Sequence, residues 1–384
     1  MISLSKMALA TESSLTRKLF NMALEIGDDV INLTLGDPDL MPNEEIRKAA
    51  CDAIMSGKTR YSQNAGLVEL REVYADFFKK EYGVEVTPDE VISTVGGMEA
   101  LFLSMAATID PGSEVIILGP YYVNYRQMIK MCQGLPIAIN RLRRSDDEVL
   151  NDIKSAITKK TVAIILNTPS NPSGDMLSGY FLDEIAKIAT KNNLLVICDE
   201  VYRSLVYDNK KAESIITRPG MKDRSIIIDS VSKRFCMTGY RAGFAVGNKD
   251  IISNMVKMQE NVCACTPLPS QYAAIKAYKG GFDNSVVHDI YEHRRDVLVR
   301  ELDKVPNITY IYPEATFYCM VDISKSKMDS LTFSEKLLEE KHVAVVPARS
   351  YGALYDNYIR IAFTLDEEKL VLAMQRFAEF MKGF

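Results

Sequence analysis

Between Ser230 and Phe244 the chain reads SVSKRFCMTGYRAGF, which gathers Ser230, Ser232, Lys233 and Arg241 into one short stretch. Lys233 offers a primary amine able to form an imine with an aldehyde. Ser230, Ser232 and Arg241 offer hydroxyl donors and a fixed positive charge, a set that suits a phosphate. In STVGGMEAL, Gly96 and Gly97 open an apolar periodic run. Glycines that open a helix expose backbone amides at its positive end, which suits the same anion. Asp199, in LLVICDEVY, can hold a pyridine nitrogen in its protonated form. Each group alone has a plainer reading: a solvated lysine, an aspartate cap, turn glycines, and an Asn171 that turns the chain between two prolines. Together they describe one ligand that carries an aldehyde, a phosphate and a pyridine, which is pyridoxal phosphate.

The elements that must position these groups follow from hydrophobic periodicity. EVIST from Glu90, SEVIILG from Ser113, TVAIILN from Thr161, LLVICDE from Leu194, RSIIIDS from Arg224 and FAVG from Phe244 read as strands. Most are apolar at every position, as in a sheet covered by helices on both faces. Helical runs begin at Gly97 and Leu182. The alternation predicts an α/β fold with a mostly parallel sheet. In such sheets ligands sit beyond the carboxyl ends of the strands, where the candidate residues fall. After Phe282 a long charged helix leads into strands near 308–312 and 317–321, a helix from Phe333, a strand at 343–347, IRIAF, and a last helix from Glu367. The expected division is a large domain at 43–281 and a smaller α+β domain built from 1–42 and 282–384.

Taken as a set, GDPD, YSQNAGLVELR, VGGMEAL, PYYVNY, NTPSNPSG, DEVY, SVSKRFCMTGYRAGF and YIRIAF resemble the class I aminotransferases, pyridoxal-phosphate enzymes of fold type I. The resemblance runs from about Leu35 to Phe363 and implies a role for each matching position. Lys233 resembles the lysine that joins the cofactor aldehyde, and Asp199 the partner of its pyridinium. Tyr202 and Asn171 match the residues that bond the ring's phenolic oxygen. Ser230 and Arg241 match phosphate ligands beside the amides of Gly97 and Met98, with Ser232 in support. Tyr122 stands where an aromatic ring stacks on the cofactor. Tyr61 matches a tyrosine that reaches the phosphate of a neighbouring subunit, which implies a homodimer with shared sites. Arg360 matches the arginine that clamps the substrate α-carboxylate, and Gly36 lies where the backbone approaches that carboxylate. The implied reaction moves an amino group from an α-amino acid, of aspartate/glutamate type or more broadly, to a 2-oxo acid such as 2-oxoglutarate, in two stages. A carbon–sulfur β-lyase, or another elimination or cyclising enzyme of the same fold, keeps the same residues and stays open at this point.

The chain departs from the pattern in places. It has no tryptophan, so the stacking ring is a tyrosine. Met98 sits where some aspartate-specific members carry a lysine that contacts the distal carboxylate. PARSYG leaves Arg349 in a loop expected near the substrate side chain, where it either binds an acidic group or points to solvent. Pro169 and Pro172 flank the ligand-bearing turn and are candidates for cis bonds.

Composition fits this reading. The chain has 384 residues, with 47% hydrophobic, 25% charged and a formal net charge of −5, so nothing favours nucleic acid or an anionic membrane as a partner. No run reaches the ~18 apolar residues of a membrane span, and no secretory signal is evident at the N-terminus. The seven scattered cysteines suit a reducing cytoplasm. Cys263 and Cys265 lack the further ligands of a zinc site, so no metal is expected. His288, His293 and His342 lie outside every motif.

Overall fold

Seven short apolar runs join into one sheet in this computed structural model, which describes all residues except 1, 12–14, 28, 281, 283 and 284. In chain order the strands are β1 Val91–Thr94, β2 Glu114–Gly119, β3 Leu135–Asn140, β4 Thr161–Asn167, β5 Leu195–Asp199, β6 Ser225–Ser230 and β7 Gly243–Gly247. Their spatial order is β1-β7-β6-β5-β4-β2-β3. Only β7 runs antiparallel to its neighbours, β1 and β6. Side chains alternate between faces, and both faces are buried. Ile92, Ile117, Ile165, Ile197 and Ile228 pack on one side, and Val91, Ile116, Ile164, Val196 and Ile227 on the other. This explains why the central strands are apolar along most of their length. Each such side chain stabilises the fold by about 1.5–3 kcal/mol.

The sheet register brings the candidate groups together. Asn167 at the end of β4 lies beside Asp199 at the end of β5. Thr94 at the end of β1 and Ser230 at the end of β6 both pair with Gly243 at the start of β7. The antiparallel strand therefore draws the helix after β1, the lysine turn after β6 and the Arg241 loop before β7 to one point. A side chain at Gly243 has no room there, because its Cβ would lie 2.4 Å from the carbonyl carbon of Gly96.

A second, four-stranded antiparallel sheet is ordered Val346–Pro347, Tyr358–Ala362, Tyr318–Asp322, Thr309–Tyr310. The expected strand at 343–347 is two strands. Val343–Ala344 pairs in parallel with Ile31–Asn32, and Val346–Pro347 crosses to the four-stranded sheet. The long helix Ser285–Leu302 and the last helix Glu367–Met381 pack together behind it. Both anticipated cis bonds are present, at Thr168–Pro169 and Asn171–Pro172, with a third at Gly119–Pro120.

Candidate active site

A cavity of about 500 Å³ opens beyond the carboxyl ends of the parallel strands. Gly36, Gly97, Met98, Tyr122, Asn171, Asp199, Tyr202, Ser230, Ser232, Lys233, Arg241 and Arg360 all line it. Tyr61 does not; its side chain stands in solvent, 87% exposed.

Lys233 lies on the helical turn Val231–Arg234 directly after β6, capped by Ser230, whose hydroxyl accepts from the Ser232 amide at 3.3 Å. Its Nζ donates to the Gly36 carbonyl at 2.6 Å. Burial lowers its pKa to about 8; Asp37 opposes the fall, while the Arg241 and Arg360 guanidinium groups add to it. The amine is thus far closer to neutrality than an exposed lysine. Burial likewise raises Asp199 to about 6, against the bonds from the Tyr125 hydroxyl and the Val201 amide that favour its anion. Tyr125 donates to Asp199 Oδ2 at 2.6 Å.

Arg241 adopts φ +54°, in the left-handed region that non-glycine residues rarely enter, and so aims its guanidinium back at the helix Gly96–Ala106. Its bonds go to backbone carbonyls, from Nη1 to Thr238 at 2.8 Å and from Nη2 to Val95 at 3.4 Å. Together with Ser230, Ser232 and the first amides of that helix, this cation forms a corner suited to a phosphate.

Arg360 is buried on the strand Tyr358–Ala362. Nη1 donates to Asn171 Oδ1 at 3.1 Å and Nη2 to the Thr34 carbonyl at 2.5 Å. Its Nε has no hydrogen-bond partner, and no carboxylate pairs with it among the described residues. A buried guanidinium with a free donor is unfavourable unless an anion completes it. The geometry therefore fits a carboxylate ligand.

On another wall, Asn124 Nδ2 donates to Tyr122 Oη at 3.0 Å and approaches Met98 Sδ at 3.4 Å. Arg349 lies outside this cavity. It borders a smaller neighbouring one, with its side chain 46% exposed and 3.9 Å from Asp356. Arg349→Ala is therefore expected to leave the ratio of aspartate to alanine rates within about twofold of the parent. A fall in that ratio beyond tenfold in steady-state assays would contradict this placement.

Sequence reasoning missed Thr34, Tyr125 and Tyr318, which also line the cavity. Tyr125 follows Tyr122 by three residues, a spacing that puts both on one side of a helical turn. Thr34 and Tyr318 sit in local sequence that carries no such signal.

Residues 28–377 match the family described as aminotransferase class I and II. The chain belongs to that family and is an amino-acid aminotransferase. It is 35% identical over 371 residues to the aspartate aminotransferase of Pyrococcus abyssi, covering 95% of each chain. It is 34% identical over 375 residues to aromatic-amino-acid aminotransferase 2 of Thermococcus litoralis, again covering 95% of each. The solved structure of Thermus thermophilus aspartate aminotransferase with maleate superposes with a TM-score of 0.92 at 32% identity, covering 99% of this chain and 100% of that one.

Proposed function

We propose that this enzyme uses pyridoxal 5'-phosphate to move the amino group of an α-amino acid, of aspartate/glutamate type or more broadly, to a 2-oxo acid such as 2-oxoglutarate in two stages. The observation that carries the reading is the unpartnered Nε of buried Arg360, in the same cavity as a lysine with a lowered pKa. Ser230, Ser232, Arg241 and the amides of Gly97 and Met98 would hold the phosphate, Tyr122 would stack on the ring, and Asn171 and Tyr202 would bond its phenolic oxygen. When bound, the cofactor supplies an aldehyde for the amine and a cationic ring that takes up the electron pair left at the substrate Cα.

The chain's own groups do the rest. Arg360 orients the substrate through its carboxylate. Lys233 Nζ, once free and neutral, takes the Cα proton and can give it back. Asp199, as its anion, would keep the ring nitrogen protonated. Tyr125 donates to Asp199 and favours that anion, so Tyr125→Phe should weaken the hold on the ring nitrogen and loosen pyridoxal 5'-phosphate about tenfold, read by titrating the visible absorbance. Parental affinity would remove Tyr125 from the site's electrostatics.

Exposed Tyr61, with Met41 and Met55 also exposed, supports a homodimer in which Tyr61 serves the site of a second copy. The domain division we favour follows the two sheets, 43–281 against 1–42 with 282–384. The free cysteines suit a cytoplasmic location, and among the described residues no helix is long and apolar enough to cross a membrane.

The test is a panel of amino donors against 2-oxoglutarate, read by loss of visible absorbance from protein loaded with pyridoxal 5'-phosphate. Failure to acquire that absorbance would end the cofactor reading, and pyruvate release from cystathionine without an oxo-acid acceptor would point to β-elimination instead.

A further inference from the structure

Tyr318 is buried in the cavity wall and has none of the roles assigned above. It opens the strand Tyr318–Asp322, whose register sets Tyr318 opposite Ala362 and Met320 opposite Arg360. Residues two apart share a face of a sheet, so Tyr318 and Arg360 are diagonal neighbours on one side. The Arg360 guanidinium carbon lies 4.3 Å from the centroid of the Tyr318 ring. The hydroxyl of that ring lies 3.0 Å from the Tyr202 hydroxyl. It also fills the space over Gly36, where an added Cβ would come within 1.6 Å of it. Gly36 is in turn the residue whose carbonyl holds Lys233. One side chain thus meets the carboxylate-binding cation with its face and the amine end of the site with its hydroxyl.

We propose that Tyr318 is a positioning residue that directs the Tyr202 hydroxyl proton into the cavity and supports the Arg360 guanidinium, linking the two ends of the site. The proposal rests on the cofactor reading above. Burial raises the pKa of both phenols, so both keep their protons at neutral pH. The contact between the two oxygens uses only one of the two protons. When Tyr318 donates, the Tyr202 proton is left for an acceptor in the cavity, and its O–H is polarised by the bond it receives. The reverse arrangement would point the Tyr202 proton away from any ligand. On the other face, the ring attracts a guanidinium that has no carboxylate of its own.

Two variants separate these contributions. Tyr318→Phe keeps the ring face and removes the hydroxyl; Tyr318→Leu removes both. The first readout is a spectrophotometric pH titration of the lysine-bound chromophore in protein loaded with pyridoxal 5'-phosphate. A weaker donor on the ligand oxygen favours its anion less, so the midpoint should rise by about half a unit in Tyr318→Phe, a threefold change in proton affinity. The second is calorimetric binding of succinate to the cofactor-free protein. It should be unchanged in Tyr318→Phe and weakened about fivefold in Tyr318→Leu. Equal midpoints in parent and Tyr318→Phe would overturn the proposal while leaving the cofactor reading intact. So would parental succinate binding by Tyr318→Leu. A parent that forms no chromophore would overturn both. Tyr318→Phe preserves the packed ring, so the titration decides the matter even if the leucine variant does not fold.

Discussion

Lys233→Ala is expected to lower the rate of amino transfer about 10⁴-fold, with the cofactor-free protein at least as heat-stable as the parent. The loss follows from the proposed function, in which Lys233 is both the amine that meets the aldehyde and the base that moves the Cα proton. The stability follows from burial, which lowers the lysine from 10.5 to about 8. Between those values the unfolded chain binds a proton that the folded chain does not, so stability falls as pH drops through that window and stays lower beneath it. Alanine removes the dependence. Thermal melts of the cofactor-free proteins at pH 7 and pH 10, beside rates with saturating donor, check both halves. A variant that melts well below the parent at pH 7 would show that Lys233 supports the fold, contrary to this account.

Arg360→Leu should lower kcat/KM for the amino donor by 10²–10³-fold, roughly the effect of removing one partner from a buried charge pair. Its melting temperature without ligand should not fall. The guanidinium is buried with Nε lacking a hydrogen-bond partner, two neutral oxygen acceptors and aromatic faces but no anion, so its removal takes away a charge that no opposite charge balances. The contrast matters because a merely structural arginine would give the opposite pair of results, with activity kept in the surviving fold and stability lost. Both results would place the cost of the site in the unliganded state, as expected where groups are arranged for a ligand rather than for one another.

The fully buried strands were readable because β2, β4, β5 and β6 are runs of Ile, Val and Leu that only a sheet covered on both faces explains. β3 escaped notice. It is an edge strand, LPIAIN, with Leu135 exposed and a proline inside, so it has neither the unbroken apolar run nor a clean alternation. The segment at 343–347 read as one strand because hydrophobicity carries no information about which partner each half finds. Within the site, the residues proposed to bear the chemistry sit in motifs, most of them at strand ends, and all of them but Tyr61 line one cavity. Tyr318 could not be named, since the role proposed for it depends on a register with Tyr358–Ala362 and on the space over Gly36. Thr34 contributes a backbone carbonyl to Arg360, and a main-chain atom leaves no trace in residue type.

The bond from Arg360 to Thr34 joins positions 326 apart in the chain, and that from Lys233 to Gly36 joins positions 197 apart. Contacts so distant in sequence form late, because a long loop must close before they contribute. During synthesis the Lys233 amine emerges from the ribosome well before Arg360 does. The two contacts are therefore completed at different times, and the cavity they share is closed only by the later one.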